Sequence, residues 1–274
     1  MLFVPGDRPD RMGKAFAAGA DALILDLEDA VAASAKPEAR RHVAEFIQGV
    51  GGSQIWVRVN PLDSPENLLD LDAIVGARPH GIVLPKSEGG HSVDELSKRL
   101  TERGNISAQI IVVATETPAA IFGLGSYGGR KRLAAVTWGA EDLPAAIGAS
   151  TSREEDGSYT PPYELARSLC LFGAAAAGVA PIETIFPNFR DDEGLAAYAG
   201  RARRDGFTGM MAIHPAQIDT INRAFTPSEA ELAHARDVIA LFEANPGVGA
   251  LSLDGQMIDR PHLVQAQRIL ASAE

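Results

Sequence analysis

The chain is short of cysteine: Cys170 is its only one among 274 residues. No intrachain disulfide can form, and a reducing cytoplasm is the expected compartment. The six histidines are scattered, so no Cys/His cluster has zinc spacing. Basic charge is also in deficit, with 25 Lys and Arg against 36 Asp and Glu and a net charge of −11. There is no basic run, which argues against nucleic acid or an anionic membrane as the main partner. A polyanionic cofactor could still dock on a local basic pocket. The longest apolar run, Leu169 to Ile182, is Ala/Gly-rich and too short to cross a bilayer. Met1-Leu-Phe-Val-Pro5 lacks a signal-peptide layout and reads as a strand from its first residue, so a few leading residues are expected to be missing. No Gly-x-Gly-x-x-Gly follows an early strand and no Gly-x-Ser-x-Gly is present. These absences weaken a dinucleotide-binding open sheet and a hydrolase with a covalent intermediate.

What is present is a repeated grammar. Short apolar, β-branched runs end in glycine, proline or charge, then give way to helical spacing. Strands are predicted at Leu2–Val4, Ala22–Leu25, Gln54–Val59, Gly81–Leu84, Gln109–Ala114, Ala135–Trp138, Ala180–Thr184 and Gly209–Ile213. Helices are predicted between them, ending with Ile218–Phe225. This alternation over residues 2 to 225 predicts an α/β fold, a (β/α)8 TIM barrel, and a barrel needs only about 250 residues. Residues 1–225 are therefore expected to form the catalytic domain. Residues 226–274 are expected to form a C-terminal helical/hairpin extension acting as a lid, an oligomer contact, or both. Its helix starts at Pro227-Ser-Glu, its hairpin turns at Asp254-Gly255, and its last helix follows Pro261. The polar loop from Ala149 to Pro162 has the length of a lid or binding loop.

All strand C-termini of a barrel meet on one face. Asp26, Glu28, Asp29, Glu116, Glu141 and Asp142 would share it with Arg58, Lys86 and His214. So many acids in one mouth call for a cation, and all-oxygen ligands favour Mg²⁺, with Mn²⁺ as a substitute. Glu116 and Asp142 follow adjacent strands and are placed to share one ion. Asp142 can alternatively be read as a helix N-cap before Leu143-Pro144. Arg58 would offer a bidentate donor to a carboxylate. Lys86 would pair with a rim acid or, if desolvated, form a Schiff base. Arg8, Arg11 and Lys14 read as a phosphate clamp at a helix start or as a solvated helix face. A metal and an arginine facing a small oxo or hydroxy acid suit enolate chemistry.

Several ordered motifs carry a resemblance. They are Leu2-Phe-Val-Pro-Gly-Asp-Arg-Pro-Asp-Arg-Met12, Ile24-Leu-Asp-Leu-Glu-Asp-Ala-Val31, Val57-Arg-Val-Asn-Pro61, Gly81-Ile-Val-Leu-Pro-Lys86, Thr115-Glu-Thr-Pro118, Trp138-Gly-Ala-Glu-Asp-Leu143, Ala212-Ile-His-Pro-Ala-Gln217 and Gly255-Gln-Met-Ile-Asp-Arg-Pro261. Together they resemble the citrate lyase β-subunit-like branch of the HpcH/HpaI aldolase superfamily, which includes malyl-CoA, β-methylmalyl-CoA and citramalyl-CoA lyases. The resemblance implies a Mg²⁺-dependent carbon–carbon lyase acting on a 3-hydroxyacyl-CoA thioester. It implies that Glu116 and Asp142 hold the metal and that Arg58 holds the oxo-acid half. It further implies that Phe3, Arg8 and Lys14 contact coenzyme A, and that the backbone at Glu141-Asp142 and Ile213-His214 touches substrate. Asp26, Glu28 and Asp29 would orient metal-bound waters. Asp259 would act as acid/base from a neighbouring subunit, in a homo-oligomer that is a trimer or a dimer of trimers. The segments Thr117–Tyr127 and Ser150–Pro162 depart from plain citrate lyase β-subunits and favour a lyase of free CoA esters. The alternatives are a β-subunit acting only within a citrate lyase complex, a malyl-CoA-type thioesterase, and a non-catalytic CoA-binding paralogue.

Overall fold

The computed structural model describes residues 1–51 and 54–273. Strand and helix alternate from the start: β1 (Leu2–Pro5), α1 (Pro9–Phe16), β2 (Leu23–Asp26), α2 (Lys36–Val50), β3 (Ile55–Arg58), α3 (Pro65–Ile74), β4 (Gly81–Leu84) and α4 (Gly90–Glu102). Then come β5 (Gln109–Val113), α5 (Pro118–Gly123), β6 (Leu133–Thr137), α6 (Leu143–Ile147), α7 (Pro161–Ala177), β7 (Ala180–Glu183), α8 (Asp192–Asp205), β8 (Gly209–Met210) and α9 (Ile218–Phe225). Many of these helices start where proline suits the first turn, as at Pro9, Pro65, Pro118 and Pro161. The eight strands form one sheet in sequence order, every pair parallel.

The sheet curls until its ends meet, giving a TIM-like arrangement. Phe3 N donates to Ala212 O at 2.8 Å, Ala212 N donates to Met1 O at 2.8 Å, and Leu2 bridges Ala212 in parallel. The eighth strand is shorter than its sequence predicts, stopping at Met210 and not at Ile213. Beyond it, Met211 bonds β7 and Ala212 bonds the start of β1, so this segment serves as the seam that joins first strand to last. The interior is packed by Ile24, Trp56, Val83, Ile111, Val113 and Ile182 among others. Both faces of β2, β4 and most of β5 are buried, so their sequences read as unbroken apolar runs.

By contacts the chain divides into two compact units, Met1–Ile221 and Asn222–Glu274. The second holds α10 (Glu229–Ala244), the hairpin β9 (Ala250–Leu253) and β10 (Gln256–Asp259), and α11 (Arg260–Ala271). Ser228 and Glu231 cap α10 reciprocally. Asp254 and Gly255 have φ of 51° and 77°, the left-handed pair that a two-residue hairpin turn requires. Ala235, Val238, Ile258 and Ala266 form this unit's own small core.

Candidate active site

The site begins with β2 and β3. Asp26 and Arg58 are register partners at the ends of these strands. The period of two places Arg58 on the same face as Trp56, toward the interior. Asp26 is buried, and its carboxylate accepts from Arg58 Nε at 2.7 Å and Nη2 at 2.6 Å. It also accepts from the backbone N–H groups of Glu28 (2.9 Å) and Ala30 (3.1 Å). Arg58 Nη1 lies 3.0 Å from Glu28 Oε2 and 3.9 Å from Asp29 Oδ2, and the guanidinium stacks over the Phe3 ring at 5.0 Å. Burial lowers the Arg58 pKa, but the pairing with Asp26 and the charges of Glu28 and Asp29 outweigh it and leave it raised. The side-on fork of Arg58 is thus held by Asp26. Nη1 makes an ion pair with Glu28 but no hydrogen bond, so both of its N–H groups and one on Nη2 are left outside the fork.

The loop carrying these acids is tied from behind by a network that the sequence did not announce. The buried Lys36 ammonium donates to Leu27 O (2.7 Å), Glu28 O (2.9 Å) and Asn60 Oδ1 (2.8 Å). Asn60 donates through Nδ2 to Leu27 O at 3.0 Å and to Asp70 Oδ2 at 2.7 Å, and Asp70 is paired in turn with Arg40 at 2.7 Å. In sequence, Lys36 looks like the first residue of an ordinary solvated helix and Asn60 like a strand end.

Across the mouth stand the ends of β4, β5 and β6. Glu116 is buried, and one carboxylate oxygen accepts from Lys86 N at 2.6 Å. Burial pushes its carboxyl up to about 8, and the nearby charges of Glu28 and Asp142 add to the shift. Lys86 Nζ donates to Glu28 Oε1 at 2.9 Å and lies 3.9 Å from Asp142 Oδ1. Of the two readings of Lys86, the geometry is that of an ion pair with rim acids. Asp142 occupies the N-cap position of α6, yet its side chain makes no capping hydrogen bond. Its carboxylate is therefore available to the cavity. Gly139 is required by the approach of Glu116: a Cβ there would lie 2.7 Å from Glu116 Cγ. Thr115 Oγ1 fastens the two strand ends, accepting from Gly139 N at 3.0 Å and donating to Gly139 O at 3.2 Å. Behind the cavity, Trp138 Nε1 donates to the buried Glu183, which also accepts from Arg167 Nε at 2.7 Å and Tyr198 OH at 2.9 Å.

Two neighbouring cavities among the described residues bear on the site. The first, about 340 Å³, is lined by Asp26, Asp29, Arg58, Glu116, Glu141 and Asp142 against apolar walls that include Phe3, Trp138, Met211 and Ile213. The second, about 550 Å³, is lined by Arg11, Lys14 and His214 with Asp10 and, again, Phe3 and Ile213. The cavities share Phe3, Val4, Pro5 and Ile213. Phe3, Arg11 and Lys14 line this second cavity, while Arg8 sits at the exposed start of α1, 3.8 Å from Asp7. The backbone N–H groups of Ile213 and His214 donate to Gln217 Oε1 at 2.9 and 3.1 Å, and His214 O accepts from Gln217 N at 3.0 Å, so much of this backbone is bonded within its own turn. Asp259 lies in the second compact unit, where its Oδ1 is 2.5 Å from His262 Nδ1.

The sequence profile of the HpcH/HpaI aldolase/citrate lyase family matches residues 1–215. The chain belongs to the HpcH/HpaI family. This HpcH/HpaI protein is 36% identical over 278 residues to a citrate lyase subunit beta-like protein of Mycobacterium tuberculosis, covering 99% of this chain and 94% of that one. It is 32% identical to the L-malyl-CoA/beta-methylmalyl-CoA lyase of Cereibacter sphaeroides, covering 100% and 93%. The crystal structure of CitE from Mycobacterium tuberculosis in complex with magnesium, acetoacetate and coenzyme A matches with a TM-score of 0.86 at 34% identity, over 99% of this chain and 96% of that one. The family is one of oxo-acid lyases, and this chain is a lyase of the citrate lyase β-like/malyl-CoA lyase branch.

Do the residues present suit a divalent cation? Among the described residues no group of three His, Cys, Asp or Glu could hold one. Glu116 and Asp142 offer two carboxylates, and Mg²⁺ typically takes one or two and fills its octahedron with water and substrate oxygens. Glu116 is a buried acid among acids, the arrangement a cation relieves. The donor chemistry of this HpcH/HpaI site fits.

Proposed function

We propose that the protein is a Mg²⁺-dependent carbon–carbon lyase that cleaves or forms a 3-hydroxyacyl-CoA thioester of the malyl-CoA, β-methylmalyl-CoA or citramalyl-CoA type. The products of cleavage are an acyl-CoA and a 2-oxo acid. One observation carries the reading: an acidic cavity with a braced arginine adjoins a cavity with basic side chains, and Phe3 and Ile213 line both. A substrate with a small oxo-acid head and a long polyanionic carrier needs that pair of sites.

Glu116 and Asp142 hold the cation, which supplies Lewis-acid polarisation of the oxo-acid oxygen when bound. The outward N–H groups of Arg58 bind the oxo-acid carboxylate, while Asp26 and Glu28 keep the guanidinium aimed. Trp138, Met211 and Phe3 exclude water from the breaking bond. Lys14 and Arg11 face the phosphates of coenzyme A, and Phe3 and Ile213, which line both cavities, flank its pantetheine arm. In the cleavage direction a carboxylate of the acidic rim takes the proton of the substrate hydroxyl, the electron pair of the breaking carbon–carbon bond passes to the thioester enolate, and protonated Asp259 of a neighbouring copy donates a proton to that carbon. Residues 226–274 then serve as lid and contact in a homo-oligomer, a trimer or a dimer of trimers, in the cytoplasm. No helix of the described residues is long and apolar enough to cross a membrane.

The likeness to a citrate lyase subunit beta-like protein supports a second reading, a β-subunit that turns over citryl thioesters only within a larger complex. Incubation with Mg²⁺ and malyl-, β-methylmalyl-, citramalyl- and citryl-CoA, with the products identified, separates these readings. Glyoxylate or pyruvate with an acyl-CoA is the expected result. Free malate with CoA would make the protein a thioesterase. Silence on all four esters, with activity restored by an acyl-carrier subunit, would establish the second reading.

A further inference from the structure

Five non-glycine residues among those described have positive φ: Gln54, Arg78, Lys86, Arg132 and Asp254. Gln54, Arg78 and Arg132 precede β3, β4 and β6, and Asp254 makes the hairpin turn. Lys86, at φ 51°, is the one that follows a barrel strand and enters the catalytic rim. A lysine there suffers the crowding of Cβ against the carbonyl that glycine escapes. Such strain persists only where the surroundings over-determine it.

Two groups of Lys86 account for its position. Its N–H holds Glu116 Oε2 at 2.6 Å, and its ammonium sits 2.9 Å from Glu28 Oε1 and 3.9 Å from Asp142 Oδ1. Glycine would supply the N–H without strain, so the ammonium is the reason for a lysine. It stands among acids that follow β2, β5 and β6. Burial lowers its pKa, but the bond to Glu28 and the surrounding acids outweigh burial and keep it charged.

We infer that the Lys86 ammonium is the resident counter-cation of this acid set: it holds Glu28, Glu116 and Asp142 together in the metal-free protein and weakens the grip on an arriving divalent cation. The inference rests on the reading that Glu116 and Asp142 hold that cation. The physical reason is direct. Without a cation, the ionised acids of this rim repel one another, and a fixed positive charge offsets the repulsion. Once a divalent cation binds beside Asp142, the same fixed charge repels it. The site stays assembled yet keeps its metal exchangeable.

Mn²⁺ alone serves as the probe, its free concentration read by electron paramagnetic resonance and its binding by calorimetry, on the full chain and its variants. Lys86→Gly keeps the backbone N–H and removes both strain and charge, whereas Lys86→Met removes charge alone. Both are expected to bind Mn²⁺ about tenfold more tightly, a gain of about 1.4 kcal/mol. Both should also show a larger Mn²⁺-induced rise in melting temperature than wild type. Lys86→Arg, which keeps the charge, is expected to stay within about twofold of wild type. Unchanged or weaker binding in Lys86→Met, with wild-type binding intact, overturns the inference. Tightening in Lys86→Gly alone assigns the effect to relieved strain and overturns it as well. If wild type and Glu116→Gln bind Mn²⁺ alike, the cation-site reading itself is wrong, a distinct result that takes the inference down with it.

Discussion

Arg58 is almost enclosed by acids, and Asp26 is the one that sets its orientation. Four donors converge on the Asp26 carboxylate, two from the guanidinium and two from the backbone. Asp26→Ala leaves a largely buried guanidinium without its fork partner and two N–H groups without an acceptor. The expected loss is about 3–5 kcal/mol, measured by urea unfolding, because breaking a buried pair strands the other charge. Glu116 makes a pH prediction. Its carboxyl is raised by burial from an ordinary 4.5 to about 8 in the folded chain. Below about 4.5 it is protonated in both states. Between the two values the folded chain keeps a proton that the unfolded chain has released, so stability falls as pH rises through this window. Melting temperatures of metal-free protein should therefore drop from pH 5 to pH 8.5, and Glu116→Gln should flatten that slope. Mg²⁺ must displace the same proton, so its affinity should climb with pH by up to about tenfold per unit until the carboxyl is ionised.

Elements matter because strand ends carry the chemistry and must be fastened to one another. The β5 and β6 ends are joined by the reciprocal Thr115–Gly139 pair, with Glu116 packed into the space that Gly139 leaves. Gly139→Ala puts a methyl 2.7 Å from Glu116 Cγ. The outcome expected is a modest stability cost of about 1–3 kcal/mol for overpacking. Mn²⁺ affinity and turnover should fall much further than such a cost implies, which titration of the folded variant would show. On the other side, α2 reaches under the β2 loop through Lys36. Lys36→Met withdraws a donor from three buried oxygens and should cost about 3 kcal/mol. It should also raise KM for the oxo acid in the synthetic direction more than it lowers kcat, since the loop it releases carries the partners of Arg58.

On the scale of the whole molecule, the protein consists of a barrel unit and a small second unit with a core of its own. The proposed chemistry draws Glu116 from one and Asp259 from the other. If Asp259 completes the site of another copy, Asp259→Ala and Glu116→Gln should each be inactive, and oligomers assembled from both should regain turnover that neither has alone. Activity of purified mixed oligomers against the two parents measures this. Asp259→Ala should keep wild-type Mn²⁺ affinity, and full turnover in that variant would remove Asp259 from the mechanism.

The order of elements was legible in the sequence because each signal is local. Buried parallel strands read as apolar runs, helices open on proline, and the Asp254-Gly255 turn needs only its own two residues. The gathering of acids and Arg58 at one rim followed from the rule that barrel strands end on one face. What tertiary structure alone decided concerns groups far apart in sequence whose partners no local pattern names. Lys36 binds the carbonyls of Leu27 and Glu28, and the fork of Arg58 is spent on Asp26. Arg11, in the first turn of α1, lines the second cavity, whereas Arg8 is the N-cap residue outside the helix and lies beside Asp7. The eighth strand stops early because its continuation must bond the first strand at the seam, and ring closure is a property of all eight strands together.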